Sequence, residues 1–236
     1  MPVSTLCVDV HAHILPGFQD GTDSIEHSIS LLKNLADLGI RKVVATLHIM
    51  SGYYNNTIDS IQAAACMLET RLRRENVAIQ IEAAAEYYVE SNLLSLLRSN
   101  RQLLPFQGPT QKKYLLFDTG LIKAPVELEP VVNAIKDRGL IPVMAHPEQY
   151  VYLQKNPELI KELHHQGVLF QVNLTSLMSQ PTREARLLAE WLIDQGLVSF
   201  LGSNLNHEAQ LPYLQQARAL PYYRKALESR ALFHDF

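Results

Sequence analysis

Four histidines stand at the ends of short apolar runs, and three carboxylates accompany them. His11 and His13 close Asp9-Val-His-Ala-His, His48 ends Ala-Thr-Leu-His, and His146 sits in Val-Met-Ala-His-Pro-Glu. Asp20 follows the first run, while Glu86 and Asp118 fall near the ends of the third and fourth. Residues two apart on a strand point the same way, so His11 and His13 present two imidazoles side by side. Imidazole with carboxylate suits zinc, iron or manganese. A lone histidine at a strand end is usually a hydrogen-bonded structural residue. Such residues at the ends of five successive runs point instead to a metal site. His27, His164, His165, His207 and His234 fall on predicted helices, loops or the tail and read as surface residues.

Other chemistries lack their signatures. There is no Gly-x-Ser-x-Gly elbow, phosphate-binding Gly-x-x-x-x-Gly-Lys-Ser/Thr loop, Gly-x-Gly-x-x-Gly or His-Glu-x-x-His. Neither Cys7 nor Cys66 has an arginine at the spacing of thiol phosphatases; both read as core residues. Two cysteines make no disulfide framework, which suits a reducing compartment and a cytoplasmic location. With 21 basic against 24 acidic residues and a net charge of −3, bulk attraction to nucleic acid or anionic lipid is excluded. The opening Met-Pro-Val-Ser-Thr-Leu has neither the basic start nor the apolar run of a signal peptide, and no run is long enough to cross a membrane. Metal-assisted hydrolysis is the chemistry left.

Seven short β-branched runs alternate with helix-period segments, the pattern of a mainly parallel sheet with crossover helices. The strands are predicted at Leu6 to Ile14, Lys42 to His48, Ala78 to Tyr88, Tyr114 to Thr119, Pro142 to His146, Leu169 to Leu174 and Ser199 to Ser203. Helices are predicted at Ile25 to Leu38, Thr57 to Asn76, Val126 to Arg138, Pro157 to His165 and Thr182 to Gln195. Asn100 to Lys113, with Pro105, Gly108 and Pro109, reads as a long loop. No linker divides the 236 residues, so one domain spanning 1–236 is expected. Seven βα units either close into a barrel or stay an open sheet. In both cases the site belongs at the carboxyl ends of the strands.

The ordered motifs resemble the PHP (polymerase and histidinol phosphatase) superfamily, specifically the bacterial metal-dependent protein-tyrosine phosphatases of capsule and exopolysaccharide gene clusters. The resemblance runs through Asp9-Val-His-Ala-His-Ile-Leu-Pro-Gly-Phe-Gln-Asp-Gly, Ala45-Thr-Leu-His, Ala85-Glu-Tyr-Tyr, Pro142-Val-Met-Ala-His-Pro-Glu-Gln-Tyr and Phe200-Leu-Gly-Ser-Asn-Leu-Asn-His. It implies an α/β fold, a distorted (β/α)7 TIM-like barrel. It also implies divalent ions, manganese or iron with zinc as a further option, one to three per chain. By resemblance His11 and His13 hold one ion, Asp20 and His48 help hold another, and Glu86 and His146 belong to a third. Asp118 stands where the family has a bridging glutamate. The implied substrate is a phosphotyrosine protein, such as the tail of a polysaccharide-chain-length tyrosine kinase, with Asp20, His48 and Gln149 closest to the chemistry.

The departures from the family pattern fall on that chemistry. Asn204 and Asn206 occupy the positions of an aspartate and a histidine ligand, and Gln149 that of a phosphate-gripping arginine. Asparagine offers a neutral carbonyl oxygen where a carboxylate or imidazole would bind more strongly. Glutamine lacks the fixed charge and fork of arginine. Two expectations follow: a phosphatase of reduced activity, or a degenerate member that binds phosphoproteins or regulates without turnover. Among the tyrosines near the strand ends, Tyr53, Tyr54, Tyr87 and Tyr88 are candidates to meet an aromatic substrate ring, and Ser203 and Asn173 to touch the site.

Overall fold

A computed structural model describes residues 5–178 and 182–236; the opening residues 1–4, where no leader was read, lie outside them. All seven predicted strands are present within two residues of their expected ends. They are β1 Val8–Ala12, β2 Lys42–Ile49, β3 Gln80–Tyr88, β5 Lys113–Asp118, β6 Ile141–Ala145, β7 Leu169–Asn173 and β8 Val198–Gly202. An eighth, β4 Phe106–Gln107, lies in the stretch expected as a loop and pairs antiparallel with β5. Its cause is burial: the Phe106 ring packs against Tyr114 and Phe200. The other strands run β1-β2-β3-β5-β6-β7-β8, all parallel.

The sheet nearly closes on itself, which settles the choice between barrel and open sheet. Just after β8, the Asn204 N–H donates to His11 O at 2.7 Å, and the His13 N–H to Leu205 O at 2.9 Å. The resulting distorted barrel of seven parallel strands is the expected α/β architecture.

The helices form because their apolar stripes meet the strands and their ends are capped. In α1 (Ile25–Asp37), the Ser24 side chain accepts the His27 N–H, and Ile29, Leu32 and Leu35 are buried. In α2 (Ile58–Arg74), Thr57 and Ser60 cap reciprocally. The remaining helices are α3 Ser91–Arg98, α4 Leu128–Asp137, α5 Val151–Lys155, α6 Glu158–His165, α7 Arg183–Asp194, α8 Leu211–Ala217 and α9 Pro221–Glu228. Cys66 is exposed on α2 and Cys7 is half-buried, so neither is the core residue expected from composition.

Two apolar layers result. The outer one joins helices to strands; the inner one fills the barrel with Val10, Val44, Leu116, Val143, Phe200 and their neighbours. Phe233 and Phe236 pack under the inner layer, and the Phe233 N–H donates to Ser199 O at 2.9 Å. The amino end of the barrel is thereby covered, leaving the carboxyl end for the site.

Strand alternation sends Val44 and His48, Ala84 and Glu86, and Leu116 and Asp118 to the interior. Two departures bring in the other histidines. Between Asp9 and Ala12 the register of β1 against β2 slips by one residue, a bulge that switches inward parity from Val8 and Val10 to His11 and His13. His146 has φ +32 and ψ 53, a left-handed backbone that turns its ring inward from where Met144 points out. Gly202 is required where β8 crosses β1, since a Cβ there would lie 2.6 Å from His11 Cβ and 2.8 Å from Gln171 Nε2.

Candidate metal centre

Glu86 is the hub. It is fully buried on β3, and the parallel register places it beside His48. Its Oε2 lies 3.1 Å from His11 Nε2, 3.4 Å from His13 Nε2 and 3.3 Å from His48 Nδ1, and its Oε1 lies 3.1 Å from His146 Nε2. His11 Nε2 and His13 Nε2 are themselves 3.1 Å apart. Asp20 Oδ2 lies 3.6 Å from His13 Nδ1, and Asp118 Oδ2 4.0 Å from His48 Nδ1. The potential ligands overlap in three groups: His11, Glu86 and His146; His13, Asp20 and His48; and His48, Glu86 and Asp118.

The electrostatics follow from burial and crowding. Burial opposes ionisation of Glu86, but the charges and hydrogen bonds of the surrounding histidines hold it well below the usual carboxylate range. Burial and the Glu86 charge push Asp118 well above the usual carboxylate range. Burial disfavours the charged His13 ring, yet hydrogen bonds and charge from Asp20 and Glu86 prevail and raise it to about 9. Burial is also the first influence on Asp20, but His13, the His48 N–H at 2.7 Å and the Asn56 amide at 2.9 Å lower it.

One hydrogen-bond chain fixes the His11 tautomer. Gln171, fully buried on β7, places Oε1 2.8 Å from His11 Nδ1 and 3.3 Å from the His146 backbone N–H. A backbone N–H only donates, so the atom facing it must be the amide oxygen; Gln171 Nε2 accordingly donates to Asn173 Oδ1 at 2.9 Å. His11 Nδ1 must then carry a proton, which leaves Nε2 as the ring atom turned to Glu86 and the cluster.

The strained His146 backbone is held from both sides. Besides Gln171, its carbonyl accepts the Gln149 N–H at 2.9 Å. The next turn is anchored by Glu148, whose buried Oε1 accepts the Asn173 N–H at 3.0 Å and the Ser176 hydroxyl at 2.7 Å. On β1, Asp9 Oδ1 accepts the His11 N–H at 3.1 Å and the Ser203 N–H at 2.9 Å, satisfying the bulge and joining it to β8.

The donor set fits divalent first-row ions. Four imidazoles and three carboxylates converge, and among the described residues neither lysine nor arginine forms an ion pair with them and Asp118 Oδ1 and His146 Nδ1 have no hydrogen-bond partner. Buried charge of this density needs pairing or a metal.

Thus His11, His13, Asp20, His48, Glu86, Asp118 and His146 are brought together. Asn204 is half-buried at φ +52 and its backbone bonds to His11 and Gln210. Asn206 is exposed, and its N–H donates to Gln210 Oε1. Gln149 is half-buried in the turn after His146. His207 is exposed and caps the next turn by accepting the Ala209 N–H. His27 and His234 are half-buried, and His164 and His165 are exposed. Tyr87 is buried and its hydroxyl accepts the Leu104 N–H, while the Tyr54 ring stacks on His48 at 5.1 Å. Gln171, Glu148 and Asn56 went unnoticed in the sequence. For Gln171 the signal is its type: an amide inside an apolar strand, in phase with Asn173.

The family model for capsular polysaccharide synthesis, CpsB/CapC, matches residues 7–231. Tyrosine-protein phosphatase YwqE of Bacillus subtilis is 28% identical over 200 residues, covering 85% of this chain and 77% of the relative. Tyrosine-protein phosphatase CpsB of Streptococcus pneumoniae is 25% identical over 216 residues, covering 89% and 87%. A crystal structure from work on YwqE and CpsB, described there as unique metal-dependent tyrosine phosphatases, superposes with a TM-score of 0.83 at 27% identity, covering 95% of this chain and 89% of that one.

Proposed function

The chain belongs to the capsular polysaccharide synthesis family CpsB/CapC, and from that premise we propose that it is a metal-dependent phosphatase of phosphotyrosine proteins. The observation that carries this reading is the convergence of His11, His13, His48 and His146 on the buried, ionised Glu86. Residues 1–236 act in this reading as one cytoplasmic catalytic domain, and the protein substrate is the tail of a polysaccharide-chain-length tyrosine kinase.

Manganese or iron is the favoured cofactor, with zinc as a further option. A bound divalent ion supplies a Lewis acid for phosphate oxygens and an acidified water. His11, Glu86 and His146 would hold one ion, and His13, Asp20 and His48 another; Asp118 groups with His48 and Glu86. Asn204 and Asn206 stand where the family places further ligands, so we assign them weak neutral contacts and fewer than three tightly bound ions. Asp20, locked by the His48 N–H and Asn56, orients the His13 ring. Gln149 meets the phosphate by hydrogen bonding alone.

Manganese-loaded protein should release phosphate from a phosphotyrosine peptide and lose that activity with chelator. Correctly folded, metal-replete protein that releases none would sink this reading. The alternative, phosphoprotein binding without turnover, draws on the exposure of Asn206. Under it, the triple variant Asn204→Asp, Asn206→His, Gln149→Arg gains an activity the parent lacks.

A further inference from the structure

A cavity of about 310 Å³ opens directly above the cluster, with His48, Asp118 and His146 at its base. That volume is at the low end of small-molecule sites, which run from about 300 to 1,000 Å³, and suits one ring-sized group. Its sides include Tyr54, Tyr88 and Leu121, and among the described residues no lysine or arginine lines it. Tyr54 is held flat against His48, their ring planes 12° apart. Leu121 sits on a fixed lip: its carbonyl accepts the Val151 N–H at 2.8 Å, and the Thr119 N–H donates to the Tyr150 hydroxyl at 3.1 Å. Yet side chains at this rim face solvent, Tyr53 at 69% and Leu121 at 54%.

Rigid backbone carrying exposed apolar groups beside a charged base marks a binding lip. We propose that Tyr54 and Tyr88, with Leu121 at the lip, select the organic half of the ester, taking the ring of an aryl phosphate between them while the cluster takes the phosphate. Because no lysine or arginine lines the cavity among the described residues, discrimination between esters rests on ring contact and area. This inference rests on the reading of the cluster as a phosphate-binding metal centre.

Turnover alone is a poor test, since an aryl oxide leaves more readily than an alkoxide whatever the pocket. Phosphonates have no leaving group. Binding of benzylphosphonate and ethylphosphonate to manganese-loaded protein should be measured by calorimetry for wild type, Tyr54→Leu, Tyr88→Leu and Leu121→Ser, with metal per chain determined for each. Wild type should prefer the benzyl compound; Tyr54→Leu and Tyr88→Leu should each lower that preference by about 2- to 10-fold, the range of one aromatic contact, and Leu121→Ser should lower it through lost apolar area. Tyr54 touches a ligand histidine, so if Tyr54→Leu loses metal the other two variants decide. No benzyl preference in wild type, or an unchanged preference in metal-replete variants, overturns the proposal. Preference without phosphate release from a phosphotyrosine peptide upholds it and overturns the phosphatase reading; release without preference does the reverse.

Discussion

Replacing Gln171 with leucine should separate the metal centre from the fold. The substitution keeps roughly the same volume but removes the acceptor shared by His11 Nδ1, at 2.8 Å, and the His146 N–H, at 3.3 Å. Gln171 is fully buried, so water cannot take its place. Leaving a buried donor unsatisfied costs about 1–3 kcal/mol, and two such donors make the metal-free protein less stable by about 2–6 kcal/mol. That is a large share of the roughly 5–15 kcal/mol that holds a typical domain together. The His11 ring also loses the partner that holds its Nδ1 proton and keeps Nε2 turned to the cluster, and losing such a partner lowers metal affinity about 10- to 100-fold. Urea unfolding in chelator measures the first effect; competition with a chromophoric chelator measures the second. Gln171→Glu keeps an acceptor at the same place and should bind metal at least as tightly as wild type. A Gln171→Leu protein that is folded, destabilised and still binds metal with wild-type affinity would refute the tautomer argument.

Three further outcomes are expected. With its His13 raised to about 9, the metal-free protein carries a proton that an incoming ion must displace, so metal affinity should rise by up to about tenfold per pH unit toward pH 9 and then level off; titration across pH 6–9 with a proton-release readout checks this, and a flat profile contradicts it. Burial lifts the Tyr87 hydroxyl to about 12 from 10.0, so the folded state binds the proton more tightly than the unfolded chain. That stabilisation is complete below pH 10 and fades toward pH 12, a loss of about 2–3 kcal/mol that should be absent in Tyr87→Phe by denaturant unfolding. Gly202→Ala should weaken metal binding more than tenfold while far-ultraviolet circular dichroism stays native, because its Cβ would push on His11 Cβ at 2.6 Å; unchanged metal content would show that β1 yields freely.

Much of this protein was legible in one dimension. Alternating β-branched and helix-period segments determined seven parallel strands and their main crossover helices, since burying a strand on both faces demands a continuous apolar run. The same alternation placed His48, Glu86 and Asp118 on the inner face, in phase with Val44, Ala84 and Leu116. Residue types alone restricted the chemistry to metal-assisted hydrolysis.

The tertiary structure decided what local periodicity cannot encode. Phe106 forms a strand only because Tyr114 and Phe200 wait across the barrel floor. Closure depends on Asp9 bonding to Ser203, far apart in sequence. His11, His13 and His146 reach Glu86 through a bulge and a left-handed residue, and both break the two-residue rhythm from which sequence reading infers direction. Such irregularities are favourable only when distant groups satisfy the polar atoms they expose, and here Asp9, Gln171 and Glu148 supply those partners. A strand's own sequence does not specify them, because the compensating hydrogen bonds exist only once the barrel has closed.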